Sequence, residues 1–237
     1  MCGLTAFLRL GGDNTPRNSE DSPQTLGKQI DDSLELVKHR GPDARGQWLS
    51  EDLRVGMLYH DPRVLHFTQP KRMLNRTFQG LGHVRLSIID LSAAGNQPFH
   101  DSENSIHAIV NGELYDHEKY REELSKEYAF KSHSDCEIVI ALYKHYGISF
   151  VSKLRGEFAL VLWDAERQLL FSARDRYGVK SLYYTIVDNR LLVATEMKSF
   201  LPYGWKPEWD VKSIAGLAWL YGDRTFLKHV YKVGWIV

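Results

Sequence analysis

The sequence predicts an α+β fold built on antiparallel sheets, and three observations carry that prediction. Short apolar runs bounded by Gly, Asn, Asp and Pro recur along the chain, at 3–10, 80–90, 105–110, 154–163, 169–173, 182–186 and 190–194. The runs 154–163 and 169–173 flank the turn Asp164-Ala165-Glu166-Arg167-Gln168, and 182–186 and 190–194 form a hairpin through Asp188-Asn189. Strands cluster on both sides of the helical stretches, without the regular strand-helix alternation of a parallel α/β sheet.

Taken in order, residues 3–10 (Gly-Leu-Thr-Ala-Phe-Leu-Arg-Leu) read as a short buried strand ended by Gly11-Gly12, and 11–25 as a polar surface loop. Leu26, Ile30, Leu34 and Val37 recur at spacings of four, four and three, which lines one face of a helix over 26–39. Arg40-Gly41-Pro42-Asp43 breaks that helix. Alternating stretches within 45–59 suggest two strands around a turn, and the polar, irregular 60–79 reads as loop. The run 80–90 is β-rich but carries Arg85 in its middle. Such a charge either faces solvent by alternation or points into a wet site, and the local sequence leaves both open. After the strand 105–110, Asn111-Gly112 is a turn signal. Its ordinary meaning is a plain hairpin, its alternative a backbone whose N–H groups face a ligand. A short charged helix covers 117–125, and a longer amphipathic one starts at Cys136 and runs to about Tyr146, with Asp135 where an N-cap would sit. Arg174 to Lys180 is a charged loop, and Glu196 opens a short helix.

The 237 residues suffice for one large domain or two small ones, and 30 basic residues balance 30 acidic ones. That balance gives no electrostatic reason to expect nucleic acid or an anionic membrane as a partner. No n-region and h-region open the chain, and nowhere do eighteen apolar residues run together, so cytoplasm is the expected compartment. Two cysteines cannot make a disulfide framework. Cys2 is therefore of interest as a chemical group. On a frayed terminus it would be incidental, but a buried first strand would pin it, and removal of Met1 would place thiol and α-amine on one residue.

The motifs Met1-Cys2-Gly3, Arg40-Gly41-Pro42-Asp43, Gly82-His83-Val84-Arg85-Leu86-Ser87-Ile88-Ile89-Asp90, Asn111-Gly112-Glu113 and Ser134-Asp135 resemble, in order and spacing, the glutaminase domain of class II glutamine amidotransferases. Arg174-Asp175-Arg176-Tyr177-Gly178-Val179-Lys180-Ser181-Leu182-Tyr183-Tyr184 and Ala194-Thr195-Glu196-Met197-Lys198 look like the asparagine synthetase branch of that class. The likeness covers about 2–201. It implies a four-layer αββα sandwich of the N-terminal nucleophile hydrolase type, with a glutaminase domain over 1–208 and the start of a synthetase-like domain over 209–237, where 214–220 is helix-like. No Ser-Gly-Gly-x-Asp-Ser phosphate loop occurs, so ATP and magnesium would belong only to a synthetase domain missing here, and the glutaminase reaction itself would need no cofactor and no metal.

The resemblance further implies that Cys2, freed of Met1, attacks the side-chain carboxamide of L-glutamine, with its α-amine as the proton shuttle. Asn111 and the Gly112 N–H would form the oxyanion hole. Arg85 would pair bidentately with the substrate α-carboxylate and Asp135 with its α-ammonium, while Glu113 and the backbone after Arg85 would help hold the amino-acid end. A zwitterion calls for one fixed cation and one fixed anion. The ammonia would pass to a synthetase domain or chain, or to a different acceptor; a silent domain that keeps the fold for interaction or regulation is the contrasting expectation. Cys136 reads as inert and helix-packed, and His83 as structural.

Overall fold

The computed structural model describes residues 1–10, 22–50, 57–61, 64–68, 79–103, 105–209 and 234–235. Twelve strands are found among them: β1 (Gly3–Arg9), β2 (Ala44–Ser50), β3 (Met57–Asp61), β4 (Val64–Thr68), β5 (Gln79–Arg85), β6 (Phe99–His100), β7 (Ile106–Tyr115), β8 (Arg155–Asp164), β9 (Leu169–Arg174), β10 (Tyr183–Val187), β11 (Arg190–Ala194) and β12 (Gly234–Trp235). They form two six-stranded sheets, ordered β12-β10-β11-β1-β5-β2 and β3-β4-β9-β8-β7-β6, with every pairing antiparallel. The helices are α1 (Pro23–Leu36), α2 (His117–Leu124) and α3 (Ile138–Tyr146).

Three apolar cores separate four layers, as an αββα sandwich requires. Between the sheets, Leu4, Ala6 and Leu8 of β1 and Leu81 of β5 pack with Ile109, Ala159, Val161 and Trp163 from the facing sheet. Phe7, on the opposite face of β1, joins Leu26, Ile30, Leu34 and Val37 under α1. On the far side, Val110, Leu160, Leu162 and Phe171 meet Val139, Leu142 and Tyr143 of α3. Because helices cover the outer faces of both sheets, the central strands are apolar on both sides and read as continuous hydrophobic runs. The all-buried stretches of β1 and β5 have this origin.

Several sequence expectations shift in detail. The spacing that suggested a helix over 26–39 yields α1 from Pro23, capped by Ser22 Oγ accepting the Thr25 N–H, and a separate 3-10 turn over Lys38–Arg40. The stretch 60–79 is not simply loop, since β4 and the end of β3 lie in it. The run 80–90 stays a strand only to Arg85. Asn111-Gly112 is no turn: β7 passes straight through both residues, paired with Ala159 and Phe158 of β8. The segment after Glu196 is a 3-10 helix, Met197–Tyr203. The helix-like 214–220 lies outside the described residues. No helix among the described residues is long and apolar enough to cross a membrane.

Leu34 is fully buried between α1 and the first sheet. Replacing it by alanine is expected to cost about 2–5 kcal/mol of unfolding free energy, read from urea denaturation midpoints.

Candidate functional site

The site lies where the two sheets meet at one end of the sandwich. Cys2 directly precedes β1, whose Gly3 pairs with Val84 of β5. This pairing fixes the chain terminus in register beside the end of β5. Arg40 adds a second hold: its Nε donates to the Cys2 carbonyl at 2.9 Å, and its Nη1 to Glu196 Oε1 at 2.8 Å. Burial opposes ionisation of Glu196, but Arg40 and Lys198 keep its carboxyl below the usual range. Downstream, Asp43 Oδ2 accepts the Ser87 N–H at 2.7 Å and so shapes the chain leaving β5. The Arg40-Gly41-Pro42-Asp43 motif thus works as a brace for both Cys2 and the segment after Arg85, a role that only its long-range contacts reveal.

The Cys2 sulfur accepts the Leu86 N–H at 3.3 Å. Burial pushes the thiol up from its ordinary value, against the opposing pull of that N–H, the terminal ammonium and Arg85. A thiol held protonated in this way needs a base within reach before it can act as a nucleophile. Met1 lines the same pocket and is well exposed.

Facing Cys2 is the open edge of β7. Among the described residues that edge is covered by the two-residue β6 at His107 and Ala108 alone, and side chains satisfy the backbone beyond. Val110 donates its N–H to Gln97 Oε1 at 2.6 Å, and its carbonyl accepts from Gln97 Nε2 and His83 Nε2, each at 3.1 Å. Leu114 donates to Asp135 Oδ2 at 2.7 Å. Strand groups alternate in direction, so the Gly112 N–H between these two points the same way, into the pocket. Glycine is demanded here, because a Cβ would lie 2.2 Å from the Glu157 carbonyl oxygen. The buried Asn111 side chain lines the pocket too, and its Nδ2 finds no hydrogen-bond partner among the described residues. The pocket wall thus carries two N–H groups without a protein acceptor among the described residues, those of Asn111 Nδ2 and Gly112.

Arg85 is buried at the end of β5. Its Nη1 donates to the Ser92 carbonyl at 2.8 Å and to Asn96 Oδ1 at 3.0 Å, and its Nη2 to the Asp90 carbonyl. These bonds leave the Nε–H and one Nη2–H without an acceptor among the described residues. Gly95 lies against the guanidinium so closely that a Cβ there would be 2.2 Å from Nη2. Asp135 is not the helix cap: Ser134 caps, its Oγ accepting the Cys136 N–H, and the Asp135 carboxylate is left to line the pocket. Glu113 stands exposed at the mouth, opposite Glu157 of β8, and Lys180, paired with Glu157 at 3.0 Å, closes that side.

All six residues singled out from the sequence, Cys2, Arg85, Asn111, Gly112, Glu113 and Asp135, line this single pocket. The sequence reading missed Arg40, Asp90, Asn96, Gln97 and Lys180. Asp90 is the last letter of the motif holding Arg85, and Arg40 and Lys180 belong to quoted motifs; Asn96 and Gln97 give no sequence signal. Cys136 is buried, with burial, Asp135 and Cys2 all pushing its thiol well up, in keeping with an inert role. Among the described residues no group of three or more His, Cys, Asp or Glu gathers as a metal site.

Comparison with known proteins fits the architecture. Residues 71–234 match the model of the glutamine amidotransferase domain family. Amidase chry2 of Gibberella zeae is 53% identical over 98% of this chain, and Amidase chyE of Penicillium rubens 54% over 98%; each match covers 31% of that protein. Asparagine synthetase [glutamine-hydrolyzing] 2 of Bacillus subtilis is 31% identical over 95% of the chain and 26% of its own length. The chain thus spans under a third of these curated relatives. Among solved structures, the glutamine phosphoribosylpyrophosphate amidotransferase of Bacillus subtilis superposes with a TM-score of 0.57 at 19% identity, over 86% of this chain and 44% of that one, a likeness of fold.

His83 yields a test of how the pocket wall is held. Its Nε2 reaches from β5 to β7 across the gap between the sheets, and its Nδ1 has no partner among the described residues. Burial, with Arg85 adding to it and the Val110 bond resisting, holds its pKa down from 6.5 to about 4. The unfolded chain takes up this proton near pH 6.5 and the folded one only near pH 4. Stability carried by neutral His83 is therefore present above that window and lost as pH falls through it. Between pH 7 and pH 5 the loss is expected to be about 2 kcal/mol in urea unfolding, and shallower in His83→Gln.

Proposed function

Because this chain belongs to the glutamine amidotransferase domain family, we propose that it hydrolyses L-glutamine to glutamate and ammonia through a thioester on Cys2. The single observation that supports this most is the convergence on one pocket of a half-buried thiol, an unpartnered Asn111 Nδ2 and the Gly112 N–H. In this reading Met1 is removed and the freed α-amine takes the thiol proton, its usual pKa of ~7.7–8.0 being suited to that exchange near neutral pH. The sulfur then bonds to the carboxamide carbon, and the carbonyl oxygen, now anionic, receives hydrogen bonds from Asn111 and Gly112. As the C–N bond breaks, the ammonium form of the terminal amine returns its proton to the departing nitrogen. Water then attacks the γ-glutamyl thioester, releasing glutamate and restoring the thiol.

Recognition of the amino-acid end is assigned to the two opposite charges of the pocket. The remaining N–H groups of Arg85 take the α-carboxylate and Asp135 the α-ammonium, with Glu113 at the mouth assisting. The family resemblance to asparagine synthetases makes a synthetase-like domain or a separate chain the acceptor of the ammonia. ATP and magnesium would act there, and the chemistry at Cys2 would need neither. Cytoplasm is the compartment this reading supposes.

The test is glutamate formation from glutamine by protein whose intact mass shows Met1 removed. Cys2→Ala is expected to abolish turnover, and Asn111→Ala to lower kcat by ~10²–10³ with a smaller change in KM. Folded, processed wild-type protein that releases no glutamate would falsify the glutaminase reading and leave the domain as an interaction module.

A further inference from the structure

The two recognition charges hang from different sheets. Arg85 ends β5 in the first sheet, whereas Asp135 opens the 3-10 turn that leads into α3, which packs against the second. Nothing in either element by itself fixes the distance between them. We propose that Asp90 is the positioning residue that sets this distance, acting as a strut between the Arg85 loop and the Asp135 loop. The inference rests on the glutaminase reading only in naming the ligand as a free α-amino acid.

Four contacts support it. Toward Arg85, the Asp90 backbone carbonyl accepts from Nη2, and Asp90 Oδ1 accepts the Ser92 N–H at 2.8 Å, while the Ser92 carbonyl holds Nη1 at 2.8 Å. Toward Asp135, Asp90 Oδ2 accepts the His133 N–H at 2.8 Å, two residues before the carboxylate that lines the pocket. The two carboxylate oxygens thus engage one loop each. Asp90 is only 6% exposed, and both N–H donors come from the main chain, which cannot swing away as a side chain would. Ser92, against the cost of burial, together with His133 and Arg85 holds the Asp90 carboxyl down at about 2, so the strut stays an acceptor at both ends across the working pH range.

From the far side the Asp135 loop is braced as well. Arg121 donates to the Ser132 and Ser134 carbonyls, and Glu137 accepts the Ser132 N–H at 2.8 Å and its hydroxyl at 2.6 Å. That brace ties the loop to its own layer. Asp90 ties it directly to the Arg85 loop of the other layer. An asparagine at position 90 keeps the shape but turns one acceptor into a donor, aimed at an N–H that already donates. One of the two loops is then released.

The experiment compares two alkylating reagents at Cys2, followed by peptide mass mapping. Iodoacetamide is uncharged and needs only the thiol; a chloroketone shaped like glutamine carries the α-ammonium and α-carboxylate and needs both charges correctly spaced. In Asp90→Asn the chloroketone-to-iodoacetamide rate ratio is expected to fall roughly tenfold or more, the scale of a lost hydrogen bond to a charged group, with glutamine KM rising in parallel and kcat moving far less. Asp90→Glu keeps both acceptors on a longer arm and is expected to fall about threefold. A ratio within about twofold of wild type in Asp90→Asn, or equal slowing toward both reagents, overturns the proposal. If Asp90→Asn does not fold, Asp90→Glu decides by the same criterion. Wild type that prefers the chloroketone but yields no glutamate defeats the glutaminase reading and leaves the strut standing.

Discussion

A backbone N–H or C=O buried without a partner costs as much as a lost hydrogen bond, and the site is organised around one strand edge where that cost arises. Beyond Ala108, β7 has no neighbouring strand on its pocket side among the described residues. Gln97 meets the requirement at Val110 by supplying both a donor and an acceptor, in effect a one-residue strand made of side chain. Asp135 meets it at Leu114. Between them, Gly112 keeps its N–H directed at the pocket. The pocket exists because the sheet stops early, and the residues that patch the edge on either side also hold the open place open.

The charges around that edge are arranged so that none is buried alone. Arg85 has three protein acceptors before any ligand arrives, Asp90 sits between two main-chain donors, and Asp135 accepts from Leu114. Pre-bonded groups of this kind need little reorganisation when a charged ligand binds, which is where rigid sites gain over flexible ones. The thiol is the exception. Its burial disfavours the thiolate, so its reactivity depends on a neighbouring base rather than on a low intrinsic pKa.

Much of this was legible in the sequence, and the gaps have physical causes. The period of Leu26, Ile30, Leu34 and Val37 gave α1, because one helical face is all that the first sheet can bury. Asn111-Gly112 misled because a dipeptide that favours turns is judged by its own backbone freedom, whereas here glycine serves the close approach of β8. Arg85 could not be oriented from alternation, since its surroundings are carbonyls of a loop that follows it. Asp90 and Gln97 act through main-chain groups of residues up to 43 positions away, and Arg40 through a carbonyl 38 positions away; such contacts leave no period and no spacing to read.

The division of the pocket between two sheets has a mechanical meaning. Cys2 belongs to one jaw, Asn111 and Gly112 to the other, and the spacer between the jaws is hydrocarbon: Leu4, Ala6, Leu8, Ile109, Val161 and Trp163. Packed interiors have low compressibility, so the molecule behaves as a caliper locked at one opening. The gauge is the summed volume of side chains that never touch a substrate. Variation in that layer would reset the gap between the Cys2 thiol and the facing wall of β7 while every polar group of the site stayed the same.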